Sequence, residues 1–193
     1  MSAAETDRDR ILDAADRLFY GRGIQTVGMD AVRAESGVPL KRLYAQFPSK
    51  DALVLEVLAH RGGVWDAGIA AAAAGASSPR DRLLAVYDFL DAWFREVDFR
   101  GCGFINAFGE LGAVSPDVAD VVRAQKAAFQ KYVAELVAEL GGPAELAPQL
   151  ALLAEGAQST AAISGEPDAA RHARAAAETL IDAALVGVGA GAR

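Results

Sequence analysis

Cysteine, histidine and β-branched runs are scarce in this chain, and each scarcity removes a class of answer. Cys102 is the only cysteine among 193 residues, so no disulfide can close within the chain. The two histidines, His60 and His172, stand far apart on helix surfaces by their spacing, and with one cysteine they do not make a zinc-ligand pattern. Neither has beside it the Ser, Cys or carboxylate arrangement that marks a nucleophile and its base. No enzyme, metal site or cofactor is therefore expected. Thr and Ile are few, while Ala and Leu dominate a composition that is 52% hydrophobic, which points to an all-α protein. A long apolar run is missing too: residues 67–78 are mostly alanine and too short to span a bilayer. The amino-terminal MSAAETDRDR is polar from its start and carries no secretory signal, so a cytoplasmic protein is expected.

Positive charge is also in deficit, with a net charge of −7. The deficit is uneven. Residues 1–50 carry 8 Lys and Arg against 7 Asp and Glu, a balance of +1; the remainder carries 11 against 19, a balance of −8. An acidic body with a small basic face binds arbitrary DNA poorly and depends on a specific site and on two faces used together.

Apolar spacing divides the chain into nine expected helices. Ile11, Ala14, Ala15, Leu18 and Phe19 make one stripe on a first helix over 7–20, capped by Thr6 with Asp9 three residues on. The second and third helices, over 29–35 and 39–46, are too short to stand alone and must be held by packing. A fourth begins at Ser49 and runs past Trp65, with Arg61-Gly62-Gly63 a candidate kink. Further helices are expected over 79–97, 102–111, 116–140, 143–164 and 167–186, with Pro148 an alternative first turn for the eighth. The closing GVGAGAR follows a helix and ends the chain, so it reads as a frayed terminus and not as a nucleotide loop.

Residues 28–53 organise the rest. Two short helices flank a turn at Ser36-Gly37-Val38, and Pro48 stops the second before Ser49 starts a new one. Met29, Val32, Val38, Leu43 and Phe47 can close a small three-helix core while Lys41, Arg42, Tyr44 and Lys50 point outward. Between Gly37 and Lys50 there are three basic residues and no acidic one. That is the construction of a helix-turn-helix, whose second helix enters a DNA major groove. Lys41 and Arg42 are candidates for bases or phosphates, Tyr44 and Lys50 for phosphates, and Leu40 for a thymine methyl or for plain packing.

Leu18-Phe19, Gly37-Val38, Leu43-Tyr44 and the intact Phe47-Pro48-Ser49-Lys50 make residues 8–60 resemble the DNA-binding domain of the TetR family of one-component bacterial repressors. There are three departures. Gly28 stands where a capping Thr or Ser often touches a phosphate, a contact left to its backbone N–H or to Thr26; Arg33 replaces a small residue; Pro39 replaces the Ser that often opens the recognition helix, where a first-turn Pro is at home. The resemblance implies phosphate contacts by Tyr44 and Lys50, a DNA-binding domain over 1–50 with the fourth helix as connector, and a helical ligand-binding and dimerisation domain over 51–193.

Within that larger part the ligand candidates are Trp65, Tyr87, Phe89, Trp93, Phe104, Asn106, Phe108, Phe129 and Gln158, an apolar set with two amides. Taken singly, each aromatic reads better as plain core. Asn106 and Gln158 say more, because a polar side chain among apolar neighbours needs a partner. Cys102 reads as a small buried hydrophobe and not as a redox or electrophile sensor, since only Arg100 lies near it in sequence. Leu146, Leu150, Leu153, Ala157 and Ala161 on the eighth helix, with Ala170, Ala173, Ala177, Leu180, Ile181 and Leu185 on the ninth, offer smooth stripes for pairing with a second copy. The expectation is a homodimeric regulator, a repressor, that leaves a palindromic double-stranded operator when a small, largely apolar effector binds. The rivals are a helical ligand-binding or scaffold protein with a vestigial helix-turn-helix, and a helical enzyme.

Overall fold

The computed structural model describes residues 6–191, with side chains through 186. It is all-α over those residues: α1 (Asp7–Arg22), α2 (Met29–Ser36), α3 (Leu40–Gln46), α4 (Lys50–Ala73), α5 (Pro79–Phe94), α6 (Gly103–Leu111), α7 (Pro116–Leu140), α8 (Leu146–Ser164) and α9 (Ala169–Gly191). They divide into two compact units: residues through Gly63 with Gly103–Arg123, and Val64–Cys102 with the chain from Ala124 onward. The first unit thus takes in α6 and the start of α7 as well as the helix-turn-helix.

In the first unit, α1 starts as its sequence requires. Asp9 N–H donates to the Thr6 hydroxyl at 3.2 Å and Thr6 N–H to the Asp9 carboxylate at 3.1 Å, a reciprocal box in which Asp does the work of Glu. The Thr6 hydroxyl bond, followed by its backbone bond, holds the Asp9 carboxyl below the usual carboxylate range. The helix ends two residues later than its sequence suggests, because Gly23, at φ 87°, and not Gly21 supplies the positive-φ stop. Ile11, Val32, Val38, Leu43, Phe47 and Leu53 are buried together as the core that carries α2 and α3.

The turn between α2 and α3 favours glycine. Gly37 has φ 66°, its N–H closes α2 on the Arg33 carbonyl at 3.0 Å, and a Cβ there would sit 2.8 Å from the Arg10 guanidinium. Arg10 occupies that space because it donates to the Ser36 carbonyl. Pro39 does not open α3 from within. It is the N-cap, at φ −57° and ψ 142°, and its carbonyl accepts from Arg42 N–H at 2.8 Å and Leu43 N–H at 3.0 Å. Ser49 caps α4 by accepting from Ala52 N–H at 3.0 Å. Helical structure in α4 is unbroken through Gly62-Gly63.

The second unit packs α5 against α8 and α9 around Leu83, Tyr87, Leu90, Leu150, Ala154 and Ile181. Ser78 caps α5 through Asp81 N–H at 3.1 Å with Pro79 in the first turn, and the helix stops at Phe94, short of Val97. α8 begins at Leu146, so Pro148 lies in its first turn, where a missing N–H costs nothing. The stripes assigned to a dimer partner are corrected here. Leu146, Leu150, Ala157 and Ala161 of α8 and Ala170, Ala173, Ala177 and Ile181 of α9 are buried within this single chain, with Leu153, Leu180 and Leu185 packed beside them. The outer sides instead leave Leu152, Ile163 and Val186 exposed. α9 continues to Gly191, so most of the closing GVGAGAR is helical here; Ala192 and Arg193 lie outside the described residues.

Candidate nucleic-acid interface

The predicted contacts all lie in the first unit. Only Leu43 of α3 is buried; Pro39, Leu40, Lys41, Arg42 and Tyr44 are exposed, with Leu40 at 38% and Tyr44 at 45%. The exposed phenol, leucine and two cations are the group types that contact phosphates and thymine methyls. Lys50, half-buried, lies with its ammonium over the Phe19 ring, 6.0 Å from the ring centre.

Two candidates are less free than their sequence implies. Arg42 is ion-paired to Asp7 at the start of α1. The Thr26 hydroxyl points at backbone carbonyls, Arg22 at 2.7 Å and Gly23 at 3.1 Å, so its one proton is already donated and none is left for a phosphate. Gly28 is exposed as the N-cap of α2, with its carbonyl accepting from Ala31 N–H at 3.0 Å, and the unpaired first N–H groups of that helix suit a phosphate.

The ligand candidates separate. In the second unit Trp65 meets Phe89, Trp93 and Phe129 edge-on, with ring centres 5.4, 5.9 and 5.5 Å apart, and Phe89 stacks on Trp93 at 6.0 Å. Tyr87 is buried and donates its hydroxyl to the Leu150 carbonyl at 2.8 Å; burial pushes the phenol far above its ordinary range. Gln158 is 1% exposed, its amide nitrogen donating to the Ala154 carbonyl at 3.2 Å while its side-chain oxygen has no protein partner. Phe104, Asn106 and Phe108 belong to the first unit. Phe104 is buried, but Phe108 is 44% exposed, and Asn106 is exposed where its apolar neighbours predict a buried amide. Asn106 lines a cavity of about 20 Å³ with Tyr20, Arg61 and Glu110, room for about one water.

Two clefts of the second unit are larger, about 270 and 280 Å³. The first is lined by charged pairs such as Arg174 with Asp88, the second by Phe94, Phe99, Arg100 and Pro167, and neither by a predicted ligand residue. Cys102 is buried as expected, yet not isolated from cations: Lys126 Nζ lies 3.4 Å from its sulfur and 3.7 Å from the Glu155 carboxylate. That lysine is distant in sequence, so the neighbours of Cys102 along the chain do not disclose it. Arg10 and Arg61 escape sequence reasoning for the same cause. Each holds a partner from another helix, the Ser36 carbonyl and the Asp16 carboxylate, the latter at 3.1 Å.

Residues 11–57 match the family model for bacterial regulatory proteins of the tetR family. SCO4454, a TetR-family transcriptional regulator from Streptomyces coelicolor, superposes with a TM-score of 0.86 at 30% identity, over 92% of this chain and 95% of that one. A tetR-type regulator from Streptomyces avermitilis gives 0.79 at 29% identity, over 93% of this chain and 98% of its own. The transcriptional activator FasR of Mycolicibacterium smegmatis is 29% identical over 135 residues, 70% of this chain but only 60% of that protein's length. No helix among the described residues is long and apolar enough to cross a membrane. The helix-turn-helix geometry and the near full-length similarity lead to one statement: this chain belongs to the TetR family of bacterial transcriptional regulators.

Proposed function

We propose that the protein is a homodimeric, cytoplasmic repressor whose α3 helices read a palindromic operator and which lets go when a small, largely apolar ligand binds in the second unit. The observation that carries this reading is the outward face of α3, where Lys41, Arg42 and Tyr44 stay exposed on a helix held from behind by Leu43 and Phe47. Lys41 and Arg42 take bases or phosphates, Tyr44 and Lys50 take phosphates, Gly28 offers its backbone to one more, and Leu40 packs on a thymine methyl. Thr26 supports this face through the backbone.

A single α3 makes too few contacts for specificity, so a second copy is needed, at a spacing of roughly one DNA turn or a multiple of it. The outer sides of α8 and α9, with Leu152, Gly156, Ile163, Ala183 and Val186 exposed, suit a symmetric helical interface. The ligand site we favour centres on Trp65, Phe89, Trp93 and Phe129, with Gln158 offering an oxygen that lacks a protein partner. Those rings already touch one another, so a ligand enters by parting them. Ligand and operator then oppose each other by a coupling free energy of ~1–3 kcal/mol.

Selection of bound sequences from a random duplex pool supplies the operator, and gel-shift titration tests the face. Tyr44→Ala and Lys50→Ala each weaken operator binding with helix content unchanged, and Lys50→Ala also lowers the salt slope by about 0.9 for the one phosphate it no longer neutralises. Wild-type affinity in both variants means that α3 and the start of α4 are not the contact face.

A further inference from the structure

α6 is bound to the first unit at both of its ends. At its start, a Cβ on Gly103 would lie 3.0 Å from Arg61 Cδ, so this glycine allows the helix to rest on the arginine stem. Arg61 is itself fixed, stacked 3.6 Å from the centre of the Tyr20 ring and paired with Asp16 of α1. At the far end, Glu110 takes two consecutive backbone donors of the α1–α2 connector, Ile24 N–H at 3.0 Å and Gln25 N–H at 2.8 Å, one on each carboxylate oxygen. The Gln25 side-chain amide returns a bond to the Glu110 carbonyl. Gly23 completes the cradle: at φ 87° it turns the chain so that both N–H groups face the carboxylate, and a Cβ there would stand 3.3 Å from each oxygen. Successive N–H groups pointing to one side form a small anion-binding concavity, and here the anion is a side chain of the protein itself.

We propose that Glu110 is a positioning residue for operator binding: it sets the α1–α2 connector, and through it the start of α2. Only residues 24–27 stand between Gly23 and Gly28, so the anchored amides lie within about one helical turn's length of chain from the Gly28 N-cap that offers a phosphate contact. With the carboxylate in place, the first N–H groups of α2 are presented in a fixed position; without it, the connector must be ordered when DNA binds, and affinity falls by that ordering cost. The inference rests on the DNA-binding reading above and adds to it a residue 85 positions distant in sequence from the Gln25 amide it holds.

The test uses the full chain and the operator selected by the wild type. Glu110→Gln removes the charge and turns an NH₂ toward one of the two donors; Glu110→Asp keeps the charge on an arm too short to reach both, and carries the test if the first variant folds poorly. Amide exchange at Ile24 and Gln25 should accelerate, and operator Kd at a temperature well below Tm should rise about tenfold. A residue that only added stability would lower Tm and leave the Kd of the folded protein where it was. Faster exchange with Kd within about twofold of wild type, or unchanged exchange at both amides, overturns the proposal. Tyr44→Ala in the same titration separates the two failures: if it weakens binding and the Glu110 variants do not, the latch is wrong and the recognition face stands.

Discussion

α3 and the cluster around Trp65 both put large side chains on helices, and they dispose of them oppositely. On α3 the phenol of Tyr44, the side chain of Leu40 and two cations remain in solvent although a core lies one helix-width away. Around Trp65 the rings turn inward and satisfy one another edge to face. Binding is therefore readable from sequence on one of these surfaces and hidden on the other. A surface that sets a phenol and a leucine among cations matches what a nucleic-acid groove offers, and that pattern is recognisable. A packed interior and a ligand pocket draw on the same aromatic residues, so composition does not separate them.

Three substitutions put the contrast to the test. Trp65→Ala removes the ring that meets Phe89, Trp93 and Phe129, and should destabilise the second unit by on the order of 3 kcal/mol, read as a fall in Tm, while operator affinity of the folded protein is kept. The same variant should also lose its response to ligand, as the ligand site proposed at this cluster requires; an unchanged response would leave the cluster as core alone. Gly37→Ala should act the other way round. A left-handed φ costs a side chain about 1–2 kcal/mol and the flexible end of Arg10 must also shift, so operator binding weakens by roughly tenfold in gel shifts while the near-ultraviolet signal of the Trp65 cluster persists. The smallest effect is the most pointed. Asp7→Asn breaks a surface ion pair worth little to stability, and frees Arg42 for phosphate, so affinity for an unselected duplex should rise roughly threefold with a steeper salt dependence. An unchanged slope would mean that Arg42 does not reach the DNA backbone.

The helix-turn-helix was legible because its determinants act over a few residues. Thr6 and Asp9 close their box locally, Gly37 is demanded by one dihedral angle, and Ser49 caps the helix it precedes. Pro39 shows the limit of this: its presence at the start of α3 is clear from the chain, but N-cap and first turn differ by one residue and only the backbone angles tell them apart. The smooth stripes of α8 and α9 are harder. A helical repeat of Ala and Leu reports that a face is buried and is silent on whether its partner is the same chain or a copy, and here the partner is the same chain. Asn106 and Gln158 look alike in sequence, an amide among apolar neighbours, yet Asn106 is exposed and Gln158 is buried. Short α6 turns its two faces to different surroundings, and the spacing of its residues does not assign them.

The order of the helices, the Thr6, Ser49 and Ser78 caps and the basic outward face of α3 were written into the chain itself, because they follow from interactions among residues within a turn or two of one another. Folding in three dimensions was needed to show that Glu110 holds Ile24 and Gln25, that Arg61 pairs with Asp16, that Arg42 pairs with Asp7 and that Lys126 stands beside Cys102. Those partners are tens of residues apart, and nothing in the periodicity of one helix specifies which distant carboxylate or cation will be brought against it.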